Sequence, residues 1–288
     1  FKQKTAYEIM PSLVGSEMCI RDRAIRMVEE ELKKKEEIYC LGDLIHNPVV
    51  MSELASRGLK VLSDVTRIKK GTVFTRAHGV ERAILEEAAK KGLRMIETTC
   101  PYVSRVQRIA RNLSVQSYHI VVIGSAKHPE VRSVVSDLPT KKLSIVKTIK
   151  EIEKIPRVKK MGIVAQTTES LDNFKNIVKN LIENRLEDGL ETRVFNTVCS
   201  VVRERQKETK ELAGKVEAMI VVGGYKSSNT QKLAEICRNM GVRTYLIEKE
   251  EDIDLEEVKK INTVGITGGT STPEKVIRNL EKKLSNLN

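Results

Sequence analysis

Short apolar, β-branched runs alternate with amphipathic stretches along this chain. Runs at 73–75, 120–123, 163–165, 220–222 and 264–266 predict strands, and stretches at 82–91, 171–182, 231–239 and 274–287 predict helices. Leu171, Phe174, Ile177, Val178, Leu181 and Ile182 fall on one helical face. Gly92 and Gly241 stand where a helix pattern stops, the place that a left-handed C-terminal residue takes. Strands alternating with helices imply an α/β fold of small parallel sheets covered on both faces.

The order of these elements repeats. Three segments read strand, Gly, short polar loop, helix: YCLGDLIHNPVV, VVIGSAKHPEV and VVGGYKSSNTQKL. His46, His128 and Ser227 each follow the first of their glycines by four residues. A second set, TVFTRAHGV, GIVAQTTES and TVGITGGTSTPE, puts His78, Thr167 and Ser271 between a strand and a helix. TTCP and NTVCS place Cys100 and Cys199 one repeat apart. The chain therefore reads as three units of about 95 residues, over 24–99, 100–198 and 199–288. In parallel α/β units the loops at the carboxyl ends of strands carry the ligand site. A lone histidine is more often structural, but here three of the four fall at repeat-equivalent loop positions.

Residues 1–23 depart from this grammar. Lys2 and Lys4 precede an apolar stretch at 9–14 that Pro11 interrupts, which makes a poor signal peptide. The run EIMPSLVGSEMCIRDR reads like translated adapter or vector sequence, so residues 1–23 are taken as non-native. The native pattern starts near Ala24, with a stripe of Ile25, Val28 and Leu32.

Composition narrows the classes. With 40% hydrophobic and 31% charged residues over 288 positions, the chain has material for a core and is not disordered throughout. No apolar run is long enough to predict a membrane-spanning helix. The net charge of +12 admits a solvated Lys/Glu surface, an anionic metabolite or nucleic acid. Aromatics at 3% and the absence of Trp count against a nucleic-acid stacking platform. Five widely spaced cysteines without a CxxC pair fit a reducing, cytoplasmic setting better than a disulfide framework.

Thiolates at the starts of separate units suit an iron–sulfur cluster held by distant cysteines, and three of them leave one iron open to substrate. The alternative for Cys100 and Cys199 is a pair of buried thiols. Cys40 lies in a strand pattern and Cys237 in a helix pattern, which predicts core positions. Pro48, Pro129 and Pro273 sit at predicted first helical positions. Helix N-termini there offer N–H groups to phosphate. Ser227, Ser228, Asn229 and Ser271 add neutral donors, and helix capping is the plainer role for each alone. Glu130 is either a proton donor with a raised pKa or a first-turn acid on the helix dipole.

The series IHNPVV, RAHGV, TTCPYV, HPEV, QTT, NTVCS with RQ at 205–206, SSN and TGGTSTPE resembles the motif series of the 4-hydroxy-3-methylbut-2-enyl diphosphate reductases, the LytB family, in order over 24–288. The resemblance implies three pseudo-symmetric α/β units around a central 4Fe–4S cluster. It implies reductive loss of the allylic hydroxyl, giving isopentenyl and dimethylallyl diphosphate, the last step of the non-mevalonate isoprenoid route. It implies reduced ferredoxin or flavodoxin as electron donor. Residue by residue, it implies Cys100 and Cys199 as cluster ligands, with His46, His78 and His128 contacting substrate. Ser227, Ser228, Asn229 and Ser271 fall on the diphosphate cradle, Glu130 on the proton-relay acid, and Thr167 with Thr168 near the substrate hydroxyl.

Three positions depart from the family pattern. Cys19 is the sole candidate for the third ligand, yet it is one residue out of register and lacks the flanking glycines. Val202 replaces the usual Thr, and RSVVSD replaces a Gly-containing stretch after HPEV. Two rival readings follow: a diphosphate-binding relic without a stable cluster, and a basic nucleic-acid-binding protein.

Overall fold

The computed structural model describes residues 6–9, 20–34, 36–185 and 190–286. In chain order the regular elements begin with β1 (Ala6–Ile9), α1 (Ile20–Leu32), β2 (Ile38–Leu41), α2 (Pro48–Ser56), β3 (Leu59–Leu62), β4 (Thr72–Phe74), α3 (Arg82–Lys90) and β5 (Arg94–Ile96). They continue with α4 (Pro101–Val115), β6 (His119–Ile123), α5 (Pro129–Val135), β7 (Leu143–Val146), β8 (Lys160–Ala165), α6 (Leu171–Glu183) and β9 (Glu191–Val194). The last are α7 (Ser200–Ala213), β10 (Ala218–Val222), α8 (Ser228–Asn239), β11 (Arg243–Ile247), α9 (Leu255–Val258), β12 (Thr263–Gly268) and α10 (Glu274–Ser285). Among the described residues no helix is long and apolar enough to cross a membrane.

These elements divide into two compact units. One comprises residues 20–44 and 54–199 and holds two four-stranded sheets, ordered β3-β2-β4-β5 and β7-β6-β8-β9. Every strand pair in them is parallel. Val106, Ala110 and Leu113 of α4 pack with Val131 and Val134 of α5 against Ile120, Val122 and Val164. The other unit is built on residues 45–53 and 200–288 together with β1, and its sheet runs β1-β12-β10-β11. Here Leu212, Leu233, Ala234, Cys237, Ile277 and Leu280 cover β10 and β12. Read from its other edge this sheet has the order of the first two, with β1 in the fourth place that β5 and β9 take.

Central strands are buried on both faces, so β6 and β10 are buried at all five positions. Edge strands are half-covered: in β9 none of the four residues is buried. The predicted strand and helix runs all lie within observed elements or a residue or two past their ends. Cys40 and Cys237 are fully buried core thiols, as their patterns predict.

Two expectations need correction. Residues 6–9, inside the segment read as lacking strand–helix grammar, pair in parallel with β12, Tyr7 opposite Val264. The first helix begins at Ile20, ahead of Ala24, and its core face is Ala24, Val28 and Glu31, with Ile25 and Leu32 only half-buried. Glu31 tolerates burial because Lys34 and Arg94 donate to its carboxylate at 2.6 and 3.0 Å. These donors hold its pKa below the usual carboxylate range.

Helix ends explain why the stop of α4 escapes the pattern. Gly92 and Gly241 follow α3 and α8 with φ of 65° and 75°, and Leu93 and Val242 donate back to Ala88 and Cys237. After α4 the same geometry is made by Ser117, at φ 65°, with Tyr118 donating to Leu113. An L-residue there is strained, and no glycine advertises the stop. Ser117→Gly is expected to raise the unfolding free energy by up to about 1 kcal/mol, and Gly92→Ala to lower it by a similar amount. Urea midpoints of the two variants against the parent check both signs.

Candidate active site

In the unit built on residues 45–53 and 200–288, a cradle forms where β10 and β12 end. Gly223 and Gly224 follow β10, and a Cβ on Gly224 would stand 2.6 Å from the His46 carbonyl oxygen, so this close approach needs glycine. Ser271 Oγ donates to that same carbonyl at 3.2 Å. Asn47 Nδ2 donates to the Ser271 carbonyl at 2.7 Å, while its Oδ1 accepts from Val50 N–H at the start of α2. His46 is thus fixed through its backbone at the head of a helix whose first residue is Pro48, as predicted.

Ser227 caps α8, accepting from Thr230 N–H at 3.4 Å, so the capping role holds for this serine. Ser228 opens the helix and is half-buried. Asn229 is 2% exposed, and neither polar atom of its amide has a hydrogen-bond partner among the described residues. Leaving an amide dry and unpaired costs about 1–3 kcal/mol, a cost that a bound polar group removes. The residues gathered here are hydroxyls, an amide, an imidazole and a helix N-terminus, a donor set for an anion.

The remaining predicted residues lie in the other unit, where β4, β6 and β8 end. His78 and His128 meet edge to face, with ring centroids 5.6 Å apart. His128 caps α5: its Nδ1 accepts from Glu130 N–H at 3.2 Å. A neutral His128 therefore carries its proton on Nε2 and presents a donor. Glu130 is 1% exposed, and both carboxylate oxygens are held by Thr167, from N–H at 2.6 Å and from Oγ1 at 2.7 Å. Burial pushes the Glu130 pKa up to about 7, and the two Thr167 bonds oppose it only in part. Thr168 accepts from Gln166 Nε2 at 2.7 Å.

Cys100 immediately precedes α4 and Cys199 immediately precedes α7. Their N–H groups donate to Ala77 and Thr167 carbonyls at 2.9 and 3.0 Å, which ties them to the histidine turn and the threonine loop. Both are half-buried and neither forms a disulfide. Burial, with Cys199 and Glu130 adding to it, pushes the Cys100 thiol up to about 11. Such a thiol keeps its proton at neutral pH.

Some details fall outside the predictions. Pro273 sits one residue ahead of α10 rather than at its first position, because its backbone is extended at ψ 140°. Val202, where a Thr was expected, is buried in α7 at 2% exposure. Cys19 lies outside the described residues. Sequence reasoning missed Asn47 and Arg205, whose Nη1 donates to the Gly268 carbonyl at 2.8 Å below the Ser271 loop. The signal for Asn47 was its place just before a helix-opening proline.

The LytB protein family matches residues 20–285, and the chain belongs to it. Its relatives include the 4-hydroxy-3-methylbut-2-enyl diphosphate reductase of Geobacter sulfurreducens, 41% identical over 88% of this chain and 89% of that one. The enzyme of the same name from Geotalea uraniireducens is 40% identical over 92% and 93%. Among solved structures, the E-1-hydroxy-2-methyl-but-2-enyl-4-diphosphate reductase of Plasmodium falciparum superposes with a TM-score of 0.90 at 29% identity, covering 98% of this chain and 89% of that one. The resemblance drawn from the motifs and the α/β fold of small parallel sheets are both borne out.

The Glu130 carboxyl makes folding pH-dependent with a definite sign. Its folded pKa lies above the ordinary 4.5, so the folded state binds the proton more tightly than the unfolded chain. This contribution is fully present below pH 4.5 and is lost as pH rises through about 7. Glu130→Gln removes that dependence. The gap in thermal midpoint between variant and parent is expected to move in the variant's favour from pH 5 to pH 8, read by circular dichroism.

Proposed function

We propose that this chain converts 4-hydroxy-3-methylbut-2-enyl diphosphate to isopentenyl and dimethylallyl diphosphate, using a 4Fe–4S cluster. The observation that carries this reading is the buried Glu130, near half-protonation at neutral pH and gripped by Thr167, in the same unit as Cys100 and Cys199. A carboxyl so placed is matched to donate a proton at neutral pH.

Cys100 and Cys199 are assigned as two cluster ligands; both are half-buried thiols at loop–helix junctions. Each follows the fourth strand of its sheet, β5 or β9, and Cys19 follows β1, which supports Cys19 as the third. When bound, such a cluster supplies single electrons and an open iron as Lewis acid. Ser227, Ser228, Asn229, Ser271 and His46 are assigned to the diphosphate, with the unpartnered Asn229 amide the clearest sign of an absent polar ligand. Within the other unit, His78 and His128 are assigned to substrate contact, the latter as a donor through Nε2. Glu130 delivers a proton to the departing hydroxyl, and Thr167 with Thr168 holds that oxygen in place. The balance is substrate plus two electrons and two protons, giving isopentenyl or dimethylallyl diphosphate and water. Reduced ferredoxin or flavodoxin, in the cytoplasm, provides the electrons.

Glu130→Gln keeps the shape but has no proton to give, so kcat is expected to fall about a hundredfold or more with KM within about threefold. Turnover within a few-fold of the parent rejects Glu130 as the acid. Anaerobic reconstitution followed by iron and sulfide analysis tests the ligand set. Cys100→Ser and Cys199→Ser are each expected to lose most of the bound iron and the visible absorbance. If Cys19→Ala leaves the iron content unchanged, Cys19 is not a ligand. If the parent itself binds pyrophosphate but no iron, the chain is a diphosphate binder without reductase activity.

A further inference from the structure

We infer that the segment RSVVSD, which replaces the Gly-containing stretch expected after HPEV, is a clamp that holds the His78 turn against the Glu130 helix, and that Ser133 is its central positioning residue. This rests on the functional reading above, since His78 and Glu130 matter to turnover only if the chain is that reductase. Each polar residue of the segment reaches the stretch 78–82. Ser133 Oγ lies 2.9 Å from the His78 carbonyl oxygen and 2.8 Å from the Glu130 carbonyl oxygen, and its proton can be donated to either. Gln107 Nε2 donates to Ser133 Oγ at 3.3 Å. Arg132 pairs with Glu81 at 2.6 Å. Ser136 Oγ accepts from Arg82 N–H at 3.2 Å, and Asp137 lies 3.9 Å from Arg82 Nε.

The packing beneath these bonds is tight. Gly79 has φ 76°, and a Cβ there would stand 2.8 Å from Ser133 Oγ and 3.0 Å from Gln107 Nε2. The turn carrying His78 therefore lies directly on Ser133, which is 3% exposed. Arg132 and Arg82 are mostly exposed, so their pairs are screened and contribute little. The buried hydroxyl is the part that cannot be replaced by water. It touches the backbone of a substrate-contacting imidazole and of the proton donor at once, so it sets the distance between them.

The full-length protein, anaerobically reconstituted, is compared with Ser133→Ala and Ser133→Gly. In both variants kcat is expected to fall about tenfold while KM for the allylic diphosphate changes by less than about threefold, the signature of lost preorganisation. Amide hydrogen exchange is expected to quicken in the peptide covering 76–82 and to stay at the parent rate in the strand at 119–123. The exchange measurement needs neither cluster nor turnover, and Ser133→Ala removes one buried oxygen from a site otherwise unchanged, so it reports on a folded protein. If the parent turns over and Ser133→Ala matches its kcat within twofold, the positioning role is wrong, whatever the exchange shows. Loss of kcat together with faster exchange throughout the unit also overturns it, in favour of general destabilisation. If a fully reconstituted parent does not turn over, it is the functional reading that fails, and the inference falls with it.

Discussion

Parallel strands cannot be joined by a tight turn. Each step along such a sheet needs a crossover, usually through a helix, and each crossover sets the carboxyl end of a strand beside the amino end of a helix. All three sheets here are parallel throughout, and every polar group of chemical interest lies at such a junction. Ser227 follows β10, Ser271 follows β12, His128 follows β6 and Thr167 follows β8. The central strands are buried along most of their length, so the junctions are where the sequence is freest to place polar groups.

Capping groups and candidate ligand groups share the same junctions. His128 spends Nδ1 on the first turn of α5, and in the neutral ring that bond decides which nitrogen carries the proton. Ser227 satisfies Thr230 N–H, leaving the adjacent Asn229 amide without a partner. The helix start thus fixes the tautomer in one case and exposes a donor set in the other. The assignment of a serine or histidine as a cap does not compete with a role in binding; it supplies the orientation that binding needs.

Glu130 shows the tension most clearly. Burial disfavours its charge, while two bonds from Thr167 favour it, and burial wins. A further donor would lower the pKa, and loss of the Thr167 bonds would raise it. The threonine loop thus tunes the acid as well as orienting it. Val131 and Val134, which follow it on α5, pack against Ile120 and Val122 of β6.

Much of this was legible in the sequence. The central strands β4, β6, β8, β10 and β12 announce themselves because both faces are buried and each carries an apolar run. The repeat-equivalent His46, His128, Ser227, Thr167 and Ser271 could be picked out because junction loops recur in register with those strands. Edge strands such as β5 and β9 were not legible, since one covered face leaves no apolar run. The end of α4 was hidden by Ser117 in a glycine's place, and the pairing of residues 6–9 with β12 by a sequence separation that no local pattern spans. Tertiary structure alone decided the state of Glu130, the isolation of the Asn229 amide and the meeting of Ser133 with the His78 turn. Desolvation and hydrogen bonding are properties of surroundings, and those surroundings come from chain segments far apart in the sequence.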